Sequence, residues 1–107
     1  MTPEAHYNKI AKQLAETNPD VTLGKMMSSP GILYKSKNFA FFHEDSMTFK
    51  LGKEFDIEST GVKNWQWLQP FKNKAPMKGW YRIPLSESAH WPKLAELALA
   101  HITSEIG

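Results

Sequence analysis

Apolar residues near the N-terminus recur at helical spacing. Tyr7, Ile10, Ala11, Leu14 and Ala15 fall on one face. Thr2 can cap this helix, with Pro3 at its first position and Glu4 in the first turn, where a negative charge is favoured. Asn18-Pro19-Asp20 ends it near Thr17, because proline disfavours helical geometry in the residue before it. The period then drops to two. Val21 to Met27 reads as a strand, Ser28 to Gly31 as a turn, and Ile32 to Tyr34 as a second strand. Lys35 to Asn38 closes a hairpin onto the aromatic strand Phe39 to His43, and Glu44-Asp45-Ser46 turns again. Met47, Phe49 and Leu51 alternate with Thr48 and Lys50, as a strand with one buried face does.

Gly52 ends that strand. Lys53 to Ser59 predicts a short helical turn anchored by Phe55 and closed at Gly61. Asn64 to Leu68 is a further strand with Trp65 and Trp67 on one face and Gln66 on the other. Lys72 to Gly79 reads as a polar loop and Trp80 to Ile83 as the last strand, stopped by Pro84. The helical period returns in Trp91, Leu94, Ala95, Ala98 and Ile102, widened by Leu97 and Leu99. Ser86 or Ser88 caps this second helix, and Pro92 sits in its first turn, where a missing N–H costs little.

Helix, five or six strands on short connections, helix: the pattern predicts one α+β domain over residues 1–107. It is a two-layer sandwich with an antiparallel meander sheet. Both helices must bury their stripes, and one sheet face takes both. The other face is then left open, at least in part.

Composition narrows the setting. The 107 residues are 41% hydrophobic and 22% charged, enough apolar matter for a single core. The absence of cysteine removes disulfides, thiolate nucleophiles and Cys-based zinc sites, and it fits a reducing, cytoplasmic setting. No leader pattern opens the chain and no apolar run approaches the roughly 20 residues that span a bilayer, so no membrane partner is expected.

Candidate chemistry is sparse. His6, His43, His90 and His101 are scattered; the last two, on one helix, stand roughly 16 Å apart and cannot share a metal. Ser28 and Ser29 lie in a turn that His43 can approach across the sheet, but no GxSxG elbow is present, and turn formation accounts for both serines. Glu44-Asp45 occupies a hairpin tip, where solvated acids are ordinary, and no glycine-rich loop opens a helix. We therefore expect no catalytic residues, no cofactor and no metal site, hence a protein that is not an enzyme.

Charge and aromatics suggest binding instead. Residues 25–82 hold ten of the thirteen cations against five acids, a local net charge of +5. Within them, residues 72–82 carry Lys72, Lys74, Lys78 and Arg82 beside Trp80 and Tyr81, with no acid. Phe41 and Phe42 point to opposite faces, so at least one aromatic lies away from the helices. This gives two functional readings. One is a regulatory or protein-interaction module working through Trp65, Trp67, Trp80 and neighbouring phenylalanines, with a homodimer or a protein partner on the open face. The other is a nucleic-acid-binding protein, possessing DNA-binding capacity through Lys72, Lys74, Lys78 and Arg82 on phosphates.

A resemblance sharpens the first reading. Gly24-Lys25-Met26-Met27, then Pro30-Gly31-Ile32, then Tyr34 through Phe39-Ala40, then Met47-Thr48-Phe49-Lys50-Leu51 resemble the N-terminal domain family of the bacterial competence regulator TfoX. Trp80 to Pro84 and Trp91 to Leu99 extend the likeness, which spans roughly residues 6–102. Two steps depart from the family pattern: Met27 to Gly31 replaces its glycine-rich step, and Lys35-Ser36-Lys37 its glycine turn. The resemblance implies an α-β(5)-α fold like that of secretion chaperones and no catalytic residues. It also implies a standalone domain without the C-terminal domain that full-length TfoX proteins add.

Overall fold

The computed structural model describes residues 2–26, 28–69 and 75–106. Helix α1 spans Pro3–Thr17, and the Thr2 hydroxyl accepts from the Ala5 N–H at 3.0 Å, satisfying one of its free donors. Six strands follow: β1 Val21–Met26, β2 Ser29–Tyr34, β3 Lys37–His43, β4 Ser46–Lys50, β5 Gln66–Leu68 and β6 Met77–Ile83. A 3-10 turn at Ile57–Thr60 lies between β4 and β5. A second 3-10 helix, Leu85–His90, runs into helix α2, Trp91–Ile106. The chain is thus an α+β sandwich of the α-β(5)-α type with a six-stranded antiparallel sheet.

The sheet order is β1-β2-β3-β4-β6-β5. The expected meander holds through β4 and then breaks: β6 inserts beside β4, and β5 is pushed to the edge. The strand between Asn64 and Leu68 shrinks to three residues, and the last strand begins at Met77 rather than Trp80. Gly79 carries the earlier start. Its φ of +95° suits glycine, and its carbonyl accepts from Leu51 N–H at 2.9 Å and Gly52 N–H at 3.2 Å.

Ser29, Pro30 and Gly31, expected as a turn, belong to β2. The turn contracts to its lead residue Ser28, with φ +72°. Proline is tolerated there for a geometric reason. Lys35 donates to the Asp20 carbonyl at 3.0 Å, which sets the alternation of hydrogen-bonded and non-bonded pairs along β1 and β2. Pro30, opposite Lys25, falls in a non-bonded pair, so its missing N–H is on the β3 side, and the ladder to β3 begins only at Gly31, which leaves the proline at the end of β2. Two-residue hairpins at Lys35-Ser36 and Glu44-Asp45 have positive φ at both positions, the geometry that matches strand twist.

Both helices cover one face. A register shift between Ile32 and Leu33 makes room for an extra residue in β3, so Phe39 and Ala40 both turn inward, Phe41 turns out and Phe42 in again. The core joins Tyr7, Ile10, Ala11 and Leu14 of α1 to Leu94, Ala95, Ala98 and Ile102 of α2 over Ile32, Phe42, Met47, Phe49 and Ile83. Trp91 is its keystone. It is 0% exposed, donates from Nε1 to the Ile83 carbonyl at 3.2 Å, and packs against Phe42 and His6. Ser86 and Ser88 lie in the 3-10 helix that leads into α2, with Pro92 as α2's second residue. No helix among the described residues is long and apolar enough to cross a membrane.

Candidate interaction surfaces

The expected binding residues do not gather in one patch. Trp67 pairs with Tyr81, which lies on the core side, so Trp67 shares the helix-covered face. Trp65 stands edge-on to Trp67 at 5.1 Å between centroids, and both rings lie within 5.0 Å of Tyr81. The Tyr81 hydroxyl reaches the Gly52 carbonyl at 2.9 Å and the Phe55 carbonyl at 3.1 Å. Burial raises its pKa. Trp65 and Trp67 are half-buried and extend the core past the reach of α2, over the β5–β6 corner. Ile57, rather than Phe55, is the fully buried anchor of the adjacent turn.

Glu87 holds this corner down. Its residue is 9% exposed, and Oε2 accepts from the backbone N–H groups of Asn64 at 2.6 Å and Lys63 at 2.7 Å. Those two bonds, Asn64 first, lower its pKa against the opposing effect of burial; His90, 3.8 Å from Oε1, adds to the lowering. Nothing in the spacing of the sequence marks Glu87 as different from any solvated helix acid.

The helix-free face is different. Trp80 is the one expected tryptophan placed there, half-buried, 6.1 Å from Phe41, itself only 3% exposed. Thr48 lies between Phe41 and Arg82 in the ladder. Lys78 is exposed next to Gly79 in the same strand, and Arg82 contacts Glu44 at 3.4 Å. Lys72 and Lys74 lie outside the described residues. A polar chain crosses the face: Ser29 Oγ is 3.0 Å from His43 Nδ1, His43 Nε2 is 3.4 Å from Glu44 Oε1, and Glu44 Oε2 meets Arg82. The fold thus brings together the serine and histidine that sequence spacing could not join. Ser29 is 7% exposed and sits within a strand, not on a sharp turn, so the chain ties β2, β3 and β6 together across the face.

None of the six strands contains Asp or Glu, while Lys25, Lys37, Lys50, Lys78 and Arg82 are strand residues. The exposed acids sit in turns and helices. Lys50 is occupied by Glu105 of α2 at 3.3 Å, and Glu105 also meets His101 at 3.0 Å. Beside Arg82, an open hollow of about 430 Å³ is lined by Ser46, Lys63, Asn64, Trp65, Gln66 and Pro84. It offers two cations, two amides and a hydroxyl. Among the described residues, no group of three or more His, Asp or Glu side chains is arranged to hold a metal. Comparison of the chain with protein-family models, with curated proteins and with solved structures finds no match.

Proposed function

We propose that this protein is a non-enzymatic interaction module of the TfoX N-terminal type, acting in the cytoplasm, whose helix-free sheet face receives an acidic segment of a protein partner. One observation carries the reading: the strands present cations and aromatics but no acid. Trp80, backed by the buried Phe41, supplies apolar area, and Arg82, Lys63 and the exposed Lys78 of the same strand add positive charge. Such a face attracts a negatively charged chain and discriminates against a basic one. The exposed large hydrophobic residues Leu23, Met77, Leu85 and Ile106 are spread along the chain, so charge rather than a broad apolar patch defines the surface.

A nucleic-acid-binding role is the second reading, favoured by Lys78 and Arg82 flanking Trp80. Arg82 is held by Glu44 and Lys50 by Glu105, which reduces the charge open to either ligand and weighs more against a nucleic acid, whose binding rests on many phosphate contacts. Titration with a short poly-glutamate peptide and with a single-stranded oligonucleotide, followed by tryptophan fluorescence, separates the two. We expect the peptide to bind, and Lys78→Glu with Arg82→Glu to abolish that binding. Preferred binding of the oligonucleotide, weakening by roughly 0.7 log units per phosphate contact for each decade of salt, would install the second reading. Binding of neither overturns both.

A further inference from the structure

The two edges of the sheet differ. β5 is a guarded edge: it has three residues, and its register with β6 shifts between Trp67 and Leu68. Short and bulged edge strands resist pairing with other chains. β1 is six residues long, pairs with β2 in unbroken register from Val21 to Met26, and contains no proline. Among the described residues no strand pairs with its outer side. Thr22, Leu23, Gly24 and Lys25 are exposed, and Leu23, at 54%, is the most exposed large apolar residue described.

The hydrogen-bond alternation fixes which groups face outward. The bond from Lys35 N–H to the Asp20 carbonyl makes Asp20–Lys35 a bonded pair. Thr22, Gly24 and Met26 then bond toward β2, and Leu23 and Lys25 direct both N–H and C=O outward. The Val21 carbonyl also points out, while its N–H donates to Asn18 at 3.0 Å. Val21, Leu23 and Lys25 share the helix-covered side, since Val21 pairs with the buried Tyr34.

We infer that β1 pairs antiparallel with β1 of a second copy of this chain, with Leu23 on the two-fold axis, joining two sheets into one. In this register each Leu23 exchanges two backbone hydrogen bonds with Leu23 of the second copy, and each Lys25 N–H reaches the Val21 carbonyl opposite. The two leucines, exposed in the single chain, cover each other. Charge fits as well. Lys25 arrives beside the C-terminal end of the other copy's α1, whose last turn has no basic residue and where Glu16 and Asp20 are exposed. The two Lys25 stand four residues apart along the strands, roughly 13 Å, so they do not repel closely.

The chain has no cysteine, which makes the test clean. We expect light scattering to give a dimer mass at about 100 μM, within the range of modest interfaces. Leu23→Cys should form a disulfide-linked dimer under mild oxidation. Lys25→Cys should not, because its Cα atoms lie beyond the roughly 7 Å a disulfide can bridge. Leu23→Lys, a change at an exposed position, should weaken the dimer at least about tenfold with an unchanged circular dichroism spectrum. A monomer at that concentration overturns the inference. So does a dimer that Leu23→Lys leaves intact, or one that cross-links through Gly24→Cys in preference to Leu23→Cys.

Discussion

The two faces of this sheet are built from the same strands on different principles. On the helix-covered face, alternate residues of β2, β3, β4 and β6 are almost all large and apolar, and stability comes from excluding water. On the other face the alternate residues are Ser29, Gly31, Leu33, Asn38, Phe41, His43, Ser46, Thr48, Trp80 and Arg82, a mostly polar set in which Ser29, His43 and Arg82 are linked through Glu44 and Phe41 packs against Trp80. The difference also means that tryptophan is no guide to exposure here. Trp91 closes the core, Trp65 and Trp67 extend it, and only Trp80 faces outward.

Truncation is the severest test of this contrast. Trp91→Ala removes a side chain that is 0% exposed and orphans the Ile83 carbonyl it bonds. A loss of about 3–5 kcal/mol is expected in urea unfolding. Trp80→Ala should cost about 1 kcal/mol, since its ring rests against Phe41 alone among the described aromatics. Equal losses would mean that the second face is as well packed as the first.

Alkaline pH probes the same core without altering its shape. Burial pushes the Tyr7 hydroxyl up to about 12 from its ordinary 10.0. The folded state therefore holds the proton more tightly than the unfolded chain. The contribution is fully present below pH 10 and is lost as pH rises toward about 12. Two pKa units correspond to about 2–3 kcal/mol. Tyr7→Phe should remove that part of the alkaline loss, and a wild-type protein indifferent to pH across the same interval would show Tyr7 to be accessible.

Acid probes the corner beyond the helices. The Glu87 carboxylate has its pKa lowered below the ordinary 4.5 by the Asn64 and Lys63 N–H groups. Its contribution is present above pH 4.5 and fades as pH falls through the folded value. Glu87→Gln should flatten this acid limb and loosen Trp65 and Trp67, read as a red shift in fluorescence at neutral pH. An unchanged acid limb would mean that the two backbone bonds do not favour the charged form.

Much of this fold is legible in the sequence. The helical stripes of α1 and α2, the hairpin at Glu44-Asp45 and the opposed faces of Phe41 and Phe42 follow from local periodicity, which has few alternatives. What failed depended on partners. Pro30 reads as a turn residue unless one knows that the ladder to β3 begins only at Gly31. The insertion of β6 between β4 and β5 is a choice among pairings that strand patterns do not rank. The candidate surface fared worse for the same reason. Trp65 and Trp80 look alike in sequence and are sent to opposite faces by a register set elsewhere. Glu87 looks like Glu96 in sequence and is set apart by the two N–H groups that the fold brings to it.

The smallest expected effect concerns the polar chain on the helix-free face. Ser29 and His43 are fourteen residues apart in sequence and 3.0 Å apart in space, and Glu44 and Arg82 continue the line. If the chain is a cross-tie, His43→Ala should cost about 1 kcal/mol, because the Ser29 hydroxyl, 7% exposed, is left without its partner. Ser29→Ala should cost less, because the His43 ring is largely exposed and meets water instead. The double variant should cost no more than His43→Ala alone, since both changes remove the same bond. A fluorophosphonate, which modifies only an activated serine, should leave Ser29 unlabelled. Stoichiometric labelling, abolished by His43→Ala, would show that the line from Ser29 to Glu44 activates a nucleophile, and the helix-free face would then be a reacting surface rather than a docking one.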